Sequence, residues 1–134
     1  MNKAAEILII DDDPDIVEAL KITLESKSYQ VRSAFDGEEG LKEVKKKKPE
    51  LIILDLLLPK EDGATLCREL KGSPEYSDIP ILVLTALSEK MNAKVLSEPG
   101  EAPLPADAYV DKPIQPNELL SRVKHLLEKA KGKK

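Results

Sequence analysis

Polar residues suited to one kind of chemistry follow each of four short apolar runs. Asp11 and Asp12 come after residues 7–10, Asp55 after 51–54, Thr85 after 81–84, and Lys112 closely after 108–110. Three carboxylates gathered in one place repel one another: at about 5 Å and an effective dielectric of about 20, each pair costs about 3 kcal/mol. Something positive must offset that repulsion. A hard divalent cation suits an all-oxygen site that keeps several waters, which points to Mg²⁺, with Mn²⁺ as a substitute. Lys112 supplies a further positive charge. The plainer reading of the acids is helix capping, and Asp13, directly before Pro14, fits that role by itself. Capping needs one acid, however, and leaves the others together with the lysine unexplained. Thr85 taken alone reads equally well as a hydroxyl bonded to nearby backbone.

These residues need elements that bring them to one rim. The runs 7–10, 51–54 and 81–84 are too short for helices and rich in branched residues, so they read as strands buried on both faces. Residues 30–34 and 108–110 are weaker and read as edge strands. Between the strands lie helical patterns. One runs over 14–26, with Ile16, Leu20, Thr23 and Leu24 on one face. A second is opened by Asp36, carries Leu41 and Val44, and is stopped by Pro49. A third starts near Gly63, turns Leu66, Cys67 and Leu70 inward, and ends at Gly72-Ser73-Pro74. The last covers 116–131 and buries Leu119, Leu120, Val123 and Leu126 or Leu127. Residues 88–107 contain a short helical pattern at Met91, Val95 and Leu96, but Pro99, Gly100, Pro103 and Pro105 predict an irregular loop. Alternating strands and helices predict an α/β fold: a doubly wound, five-stranded parallel sheet with helices on both faces and its site outside the carboxyl ends of the strands.

The 134 residues suit one domain, placed at 4–130 with a basic tail at 131–134. With aromatic residues at 3%, the core must come from Ile, Leu, Val and Ala. A net charge of -4 argues against direct nucleic-acid binding, and the run 45–48 of four lysines reads as a solvated helix end. Cys67, the only cysteine, excludes an internal disulfide and reads as a buried thiol, in keeping with a reducing cytoplasm. The first residues lack a signal-peptide pattern and no apolar run reaches membrane-spanning length, so secretion and membrane insertion are not expected. His125, the single histidine, reads as a surface or half-buried residue rather than a phosphodonor or a metal ligand.

The chain resembles the receiver domains of bacterial two-component response regulators, of the kind typified by chemotaxis regulators. The resemblance rests on the strand and acids at 7–12, on Leu54-Asp55-Leu56-Leu57-Leu58-Pro59 with Asp62-Gly63, on Leu84-Thr85-Ala86, and on Tyr109 three residues before Lys112-Pro113. It covers nearly the whole length, and the combination is specific where each piece is weak. It implies a flavodoxin-like strand order of 2-1-3-4-5, with Pro59, Gly63 and a cis-linked Pro113 as structural residues. Asp55 would be the phosphoacceptor, taking its phosphoryl group from a sensor histidine kinase or a histidine phosphotransfer protein. Asp11, Asp12, Asp55 and the backbone carbonyl of Leu57 would hold the metal. Lys112 and Thr85 would contact phosphoryl oxygens, and the small Ala86 would leave the approach open. Thr85 and Tyr109 would switch the face formed by the fourth strand, the following segment, the fifth strand and the last helix. A downstream protein would read that face, with the receiver a monomer or a phosphorylation-dependent dimer. The stretch between Thr85 and Lys112 departs from the family in length and in its proline content at 98–105. Leu57 and Leu87, each two positions beyond a site residue, predict slow self-dephosphorylation by hindering an attacking water.

Two other classes fit less well. A phosphatase of the haloacid-dehalogenase kind would need a second acid two residues after the nucleophile, where this chain has Leu57. The domain is therefore expected to assist its own phosphorylation and dephosphorylation without turning over small substrates. A binding module independent of phosphorylation typically lacks one of the acids or the lysine, and all are present here.

Overall fold

The computed structural model describes residues 4–55, 63–85 and 106–131. Every residue of β1 (Glu6–Ile10) and β3 (Leu51–Asp55) is buried, the pattern of central strands covered on both faces. Between them in the chain lie α1 (Pro14–Glu25), β2 (Gln30–Ala34) and α2 (Gly37–Lys46). After β3 come α3 (Gly63–Lys71), β4 (Ile81–Thr85), β5 (Ala108–Asp111) and α4 (Pro116–Lys131). The strands form one parallel sheet in the order β2-β1-β3-β4-β5. Both weak strands therefore lie at the edges, and the sheet order reverses between β1 and β3, the switch point at which such folds place their ligands.

Alternate residues feed two cores. Leu8, Ile10, Ile52, Leu54, Ile81 and Val83 pack with Val44 of α2 and with Leu66, Cys67 and Leu70 of α3. Ile7, Ile9, Leu51, Ile53, Leu82 and Leu84 pack with Val17, Leu20 and Leu24 of α1 and with Leu119, Val123, Leu126 and Leu127 of α4. The period-2 alternation thus becomes a two-sided doubly wound fold. Val17 belongs to the buried face of α1 beside Leu20 and Leu24, whereas Ile16, Thr23 and Leu120 are only half-buried. Both Leu126 and Leu127 are buried.

Helix starts follow local chemistry. Asp13 caps α1 by accepting a hydrogen bond from Asp15 N at 2.9 Å, with Pro14 in the first turn. Asp36 caps α2 by accepting from Glu39 N at 2.8 Å, and Glu39 returns its carboxylate to Phe35 N at 3.1 Å. The lysine run is more than a solvated helix end. Lys45 and Lys46 close α2, but Lys47 pairs with Glu6 at 2.6 Å and Lys48 with Asp78 at 2.8 Å. The segment 86–105, with its prolines, lies outside the described residues.

Candidate functional site

Asp11 follows β1 directly and Asp55 ends β3, so the parallel pairing of these strands sets the two acids side by side at the carboxyl edge of the sheet. Asp12, the next residue along, is exposed, whereas Asp11 is 0% and Asp55 4% exposed. One carboxylate oxygen from each of the three lies within 4.8 Å of the others. Lys112 follows β5 and extends its ammonium to 3.4 Å from Asp55 Oδ1, across the intervening β4. The Lys112-Pro113 bond is cis, and Pro113 itself is exposed.

The two oxygens of Asp11 differ. Oδ1 accepts a hydrogen bond from Asp13 N at 2.9 Å, which anchors the turn into α1. Oδ2 is buried and has no hydrogen-bond partner among the described residues. A buried carboxylate oxygen left in that state is costly, and a cation is the natural group to meet it. Burial pushes the Asp11 carboxyl up to about 6; the Asp13 backbone hydrogen bond pulls it back, the Asp55 charge raises it, Lys112 lowers it and Asp12 raises it. An all-oxygen set with one orphaned buried oxygen fits a hard divalent metal ion.

The other expected site residues divide. Thr85 ends β4 opposite Asp111, placing its backbone at the same carboxyl edge; its side chain lies outside the described residues, as do Leu57, Pro59, Ala86 and Leu87. Gly63 is buried at the first position of α3. Tyr109, opposite Val83 in the sheet, is half-buried against the α2–α3 core. His125 is exposed. Cys67 is a free, fully buried thiol, and burial raises its pKa to about 11.

Sequence reasoning missed two charged clusters away from this rim. Arg32, on edge strand β2, donates to Glu43 Oε1 at 3.0 Å and to the carbonyls of Glu43 and Lys47 at 3.1 and 2.5 Å, and lies 3.6 Å from buried Glu6. Lys71, at the end of α3, pairs with Asp107 at 2.7 Å. A charge within the weak, alternating segment 30–34 was the available signal at Arg32; nothing in the local sequence joins Lys71 to Asp107.

A family model described as the response regulator receiver domain matches residues 7–124. The chain is 43% identical over 130 residues to the alkaline phosphatase synthesis transcriptional regulatory protein PhoP of Bacillus subtilis, covering 97% of this chain and 50% of PhoP. It is 42% identical over 123 residues to the DNA-binding dual master transcriptional regulator RpaA of Synechocystis, covering 92% and 49%. The chain thus spans about half the length of these relatives. Among solved structures it resembles the signal receiver domain of a signal transduction histidine kinase from Syntrophus aciditrophicus, with 40% identity, a TM-score of 0.82, and 93% of this chain and 91% of that one covered. A CheY-like response regulator receiver domain protein from Methanospirillum hungatei matches with 26% identity and a TM-score of 0.82, over 98% and 100% of the two chains.

Proposed function

We propose, because this chain belongs to the response regulator receiver domain family, that Asp55 accepts a phosphoryl group from the phosphohistidine of a sensor histidine kinase or histidine phosphotransfer protein. The observation that carries this reading is the carboxylate cluster of Asp11, Asp12 and Asp55, with a buried oxygen of Asp11 left for a cation and Lys112 beside the acceptor. In the transfer an Asp55 oxygen bonds to phosphorus as the phosphorus–nitrogen bond to the donor histidine breaks; the bonding pair stays on nitrogen, and a donor ring protonated on its other nitrogen departs as neutral imidazole, leaving an acyl phosphate. Asp11, Asp12, Asp55 and the carbonyl of Leu57 would hold Mg²⁺ or Mn²⁺. When bound, the metal supplies charge neutralisation on the transferring group. Lys112 is already close enough to pair with a phosphoryl oxygen as the negative charge moves outward from Asp55.

Thr85 would donate its hydroxyl to a second phosphoryl oxygen, with the small Ala86 keeping the approach open. Tyr109 would turn inward in response, altering the face that a downstream protein reads. Residues 4–130 act as the receiver, with a basic tail at 131–134. The output is a protein contact, as a monomer or a phosphorylation-dependent dimer, rather than direct binding of nucleic acid, which the net charge of -4 disfavours. The setting is the cytoplasm; among the described residues no helix is long and apolar enough to cross a membrane.

Incubation with acetyl phosphate and Mg²⁺ followed by intact-mass measurement tests the chemistry. The expected result is one phosphoryl adduct that is absent from Asp55→Asn and absent when EDTA is present. An adduct that persists in Asp55→Asn overturns the assignment of the acceptor, and no adduct at all favours a module that binds partners without phosphorylation.

A further inference from the structure

Lys71 sits where four pieces of the chain converge. Its ammonium reaches the carbonyls of Ser77 at 3.3 Å and Ile79 at 2.9 Å and the Asp107 carboxylate at 2.7 Å, three acceptors for three donors. The same Asp107 oxygen accepts from Ile81 N at 2.8 Å, while Asp107 N donates to Ile81 O at 2.9 Å. One ion pair therefore joins the end of α3, the turn before β4, the first residue of β4 and the residue that leads into β5. All of this lies at the amino edge of the sheet, opposite the acids.

Cys67 lies four residues before Lys71 on α3, one helical turn or about 6 Å along the axis. Tyr109 lies two residues after Asp107, which directly precedes β5. The ion pair is thus a lower rung between α3 and β5, and the core that holds both Cys67 and Tyr109 supplies an upper one. The upper rung is apolar: Tyr109 packs half-buried against the core that contains Cys67. The lower rung is 16% exposed at Lys71 and 32% at Asp107 and lines an open groove of about 720 Å³ with Ile79, Pro80 and Leu127, so there is room for it to part.

We propose that the Lys71–Asp107 bridge is a latch that ties β5 to α3 and keeps Tyr109 in its half-buried resting position, which makes Lys71 and Asp107 positioning residues for the switch. The inference rests on the reading of Tyr109 as the switch residue. With the bridge intact, the base of β5 cannot lift and Tyr109 moves inward only when the phosphoryl group rewards it. With the bridge cut, the resting state loses an interaction that the switched state needs less, and the population shifts before any phosphate arrives.

Fluorine NMR of the chain carrying 3-fluorotyrosine at its three tyrosines, Tyr29, Tyr76 and Tyr109, tests this. In the parent protein, beryllofluoride with Mg²⁺ should move the Tyr109 resonance. In Lys71→Met and Asp107→Asn, the second of which keeps an acceptor for Ile81 N, the resonance should already lie part-way along that shift without beryllofluoride, with Tyr29 unchanged. Lys71→Arg should restore the parent position. By linkage, a switched state whose population rises about threefold should tighten beryllofluoride binding by about the same factor. A Tyr109 resonance that stays at the parent position in both variants, while beryllofluoride still moves it, overturns the latch and leaves the switch standing. Movement of Tyr29 together with Tyr109 overturns it in favour of general loosening. A Tyr109 resonance that beryllofluoride leaves in place in the parent protein overturns the switch itself.

Discussion

Asp11 holds two roles that pull against each other. Through Oδ1 it organises the turn into α1, and through Oδ2 it keeps a buried, unmet negative charge beside Asp55. Its carboxyl titrates at about 6, above the ordinary 3.8, so between those values the folded metal-free chain binds more protons than the unfolded one. The stability that Asp11 contributes is therefore fully present below about pH 4 and lost as the pH rises through about 6. Asp11→Asn keeps an oxygen for Asp13 N and removes the charge. Without metal at pH 7 it should be more stable than the parent by up to about 3 kcal/mol, at 1.36 kcal/mol per pKa unit, and this advantage should vanish near pH 4. Urea unfolding at the two pH values reads the difference; a variant less stable than the parent at both would sink the repulsion argument. Adding Mg²⁺ should then stabilise the parent more than the variant, because the metal favours only the form that holds it. Asp12→Ala should act in the same direction with a smaller gain, since Asp12 faces solvent and its charge is better screened.

The close fit of α2 onto β1 depends on the absence of a side chain at Gly40. A Cβ there would lie 2.6 Å from Ile10 Cδ1, 3.0 Å from Cγ1 and 3.3 Å from Cγ2. Ile10 is fully buried and has little room to retreat. Gly40→Ala gains about 1 kcal/mol in helix propensity, yet overpacking costs about 1–3 kcal/mol, so the net change should be destabilising. A double-mutant cycle with Ile10→Val in urea should show favourable coupling, and additive effects would mean that α2 simply shifts away. This contact was invisible in the sequence because it joins positions 30 residues apart by helix-on-sheet packing. The strands and the site were legible for a local reason. Burial on both faces left unbroken apolar runs, and the residues leaving those runs had to gather at one edge, which is why Asp11, Asp12, Asp55 and Lys112 stand out in the sequence alone. Charged residues that fold inward were not legible. Glu6 begins β1 one residue before the apolar run, and Lys71 and Asp107 read as ordinary surface charges until the fold joins them. Val17 was missed because α1 is covered by both the sheet and α4, which widens its buried face beyond the stripe through Ile16, Leu20 and Leu24.

Among the described residues, the carboxylate cluster and the ion pairs around Glu6 and Arg32 occupy different places. The acids and Lys112 gather at the carboxyl edge of the sheet, while Glu6, Arg32, Glu43 and Lys47 tie the start of β1 to β2 and the end of α2. Glu6 is only 8% exposed, so its charge depends on the partners that Arg32 and Lys47 provide. Arg32→Met keeps much of the aliphatic packing and removes the guanidinium. It removes one of the two ion-pair partners of Glu6 and deprives Glu43 Oε1 and the Lys47 carbonyl of the guanidinium, while the Glu43 carbonyl keeps Lys47 N as donor. Breaking a well-buried pair costs about 3–5 kcal/mol, and the remaining Lys47 bridge together with partial solvent access should hold the loss here to about 1–3 kcal/mol. Because this network touches none of the carboxylates at the opposite edge, the folded variant should take phosphate from acetyl phosphate at the parent rate. Denaturant midpoints and phosphorylation rates measured on the same preparation decide the matter. A lower midpoint with an unchanged rate supports the separation, whereas a rate that falls with the midpoint in buffer free of denaturant would show that the two edges are energetically coupled.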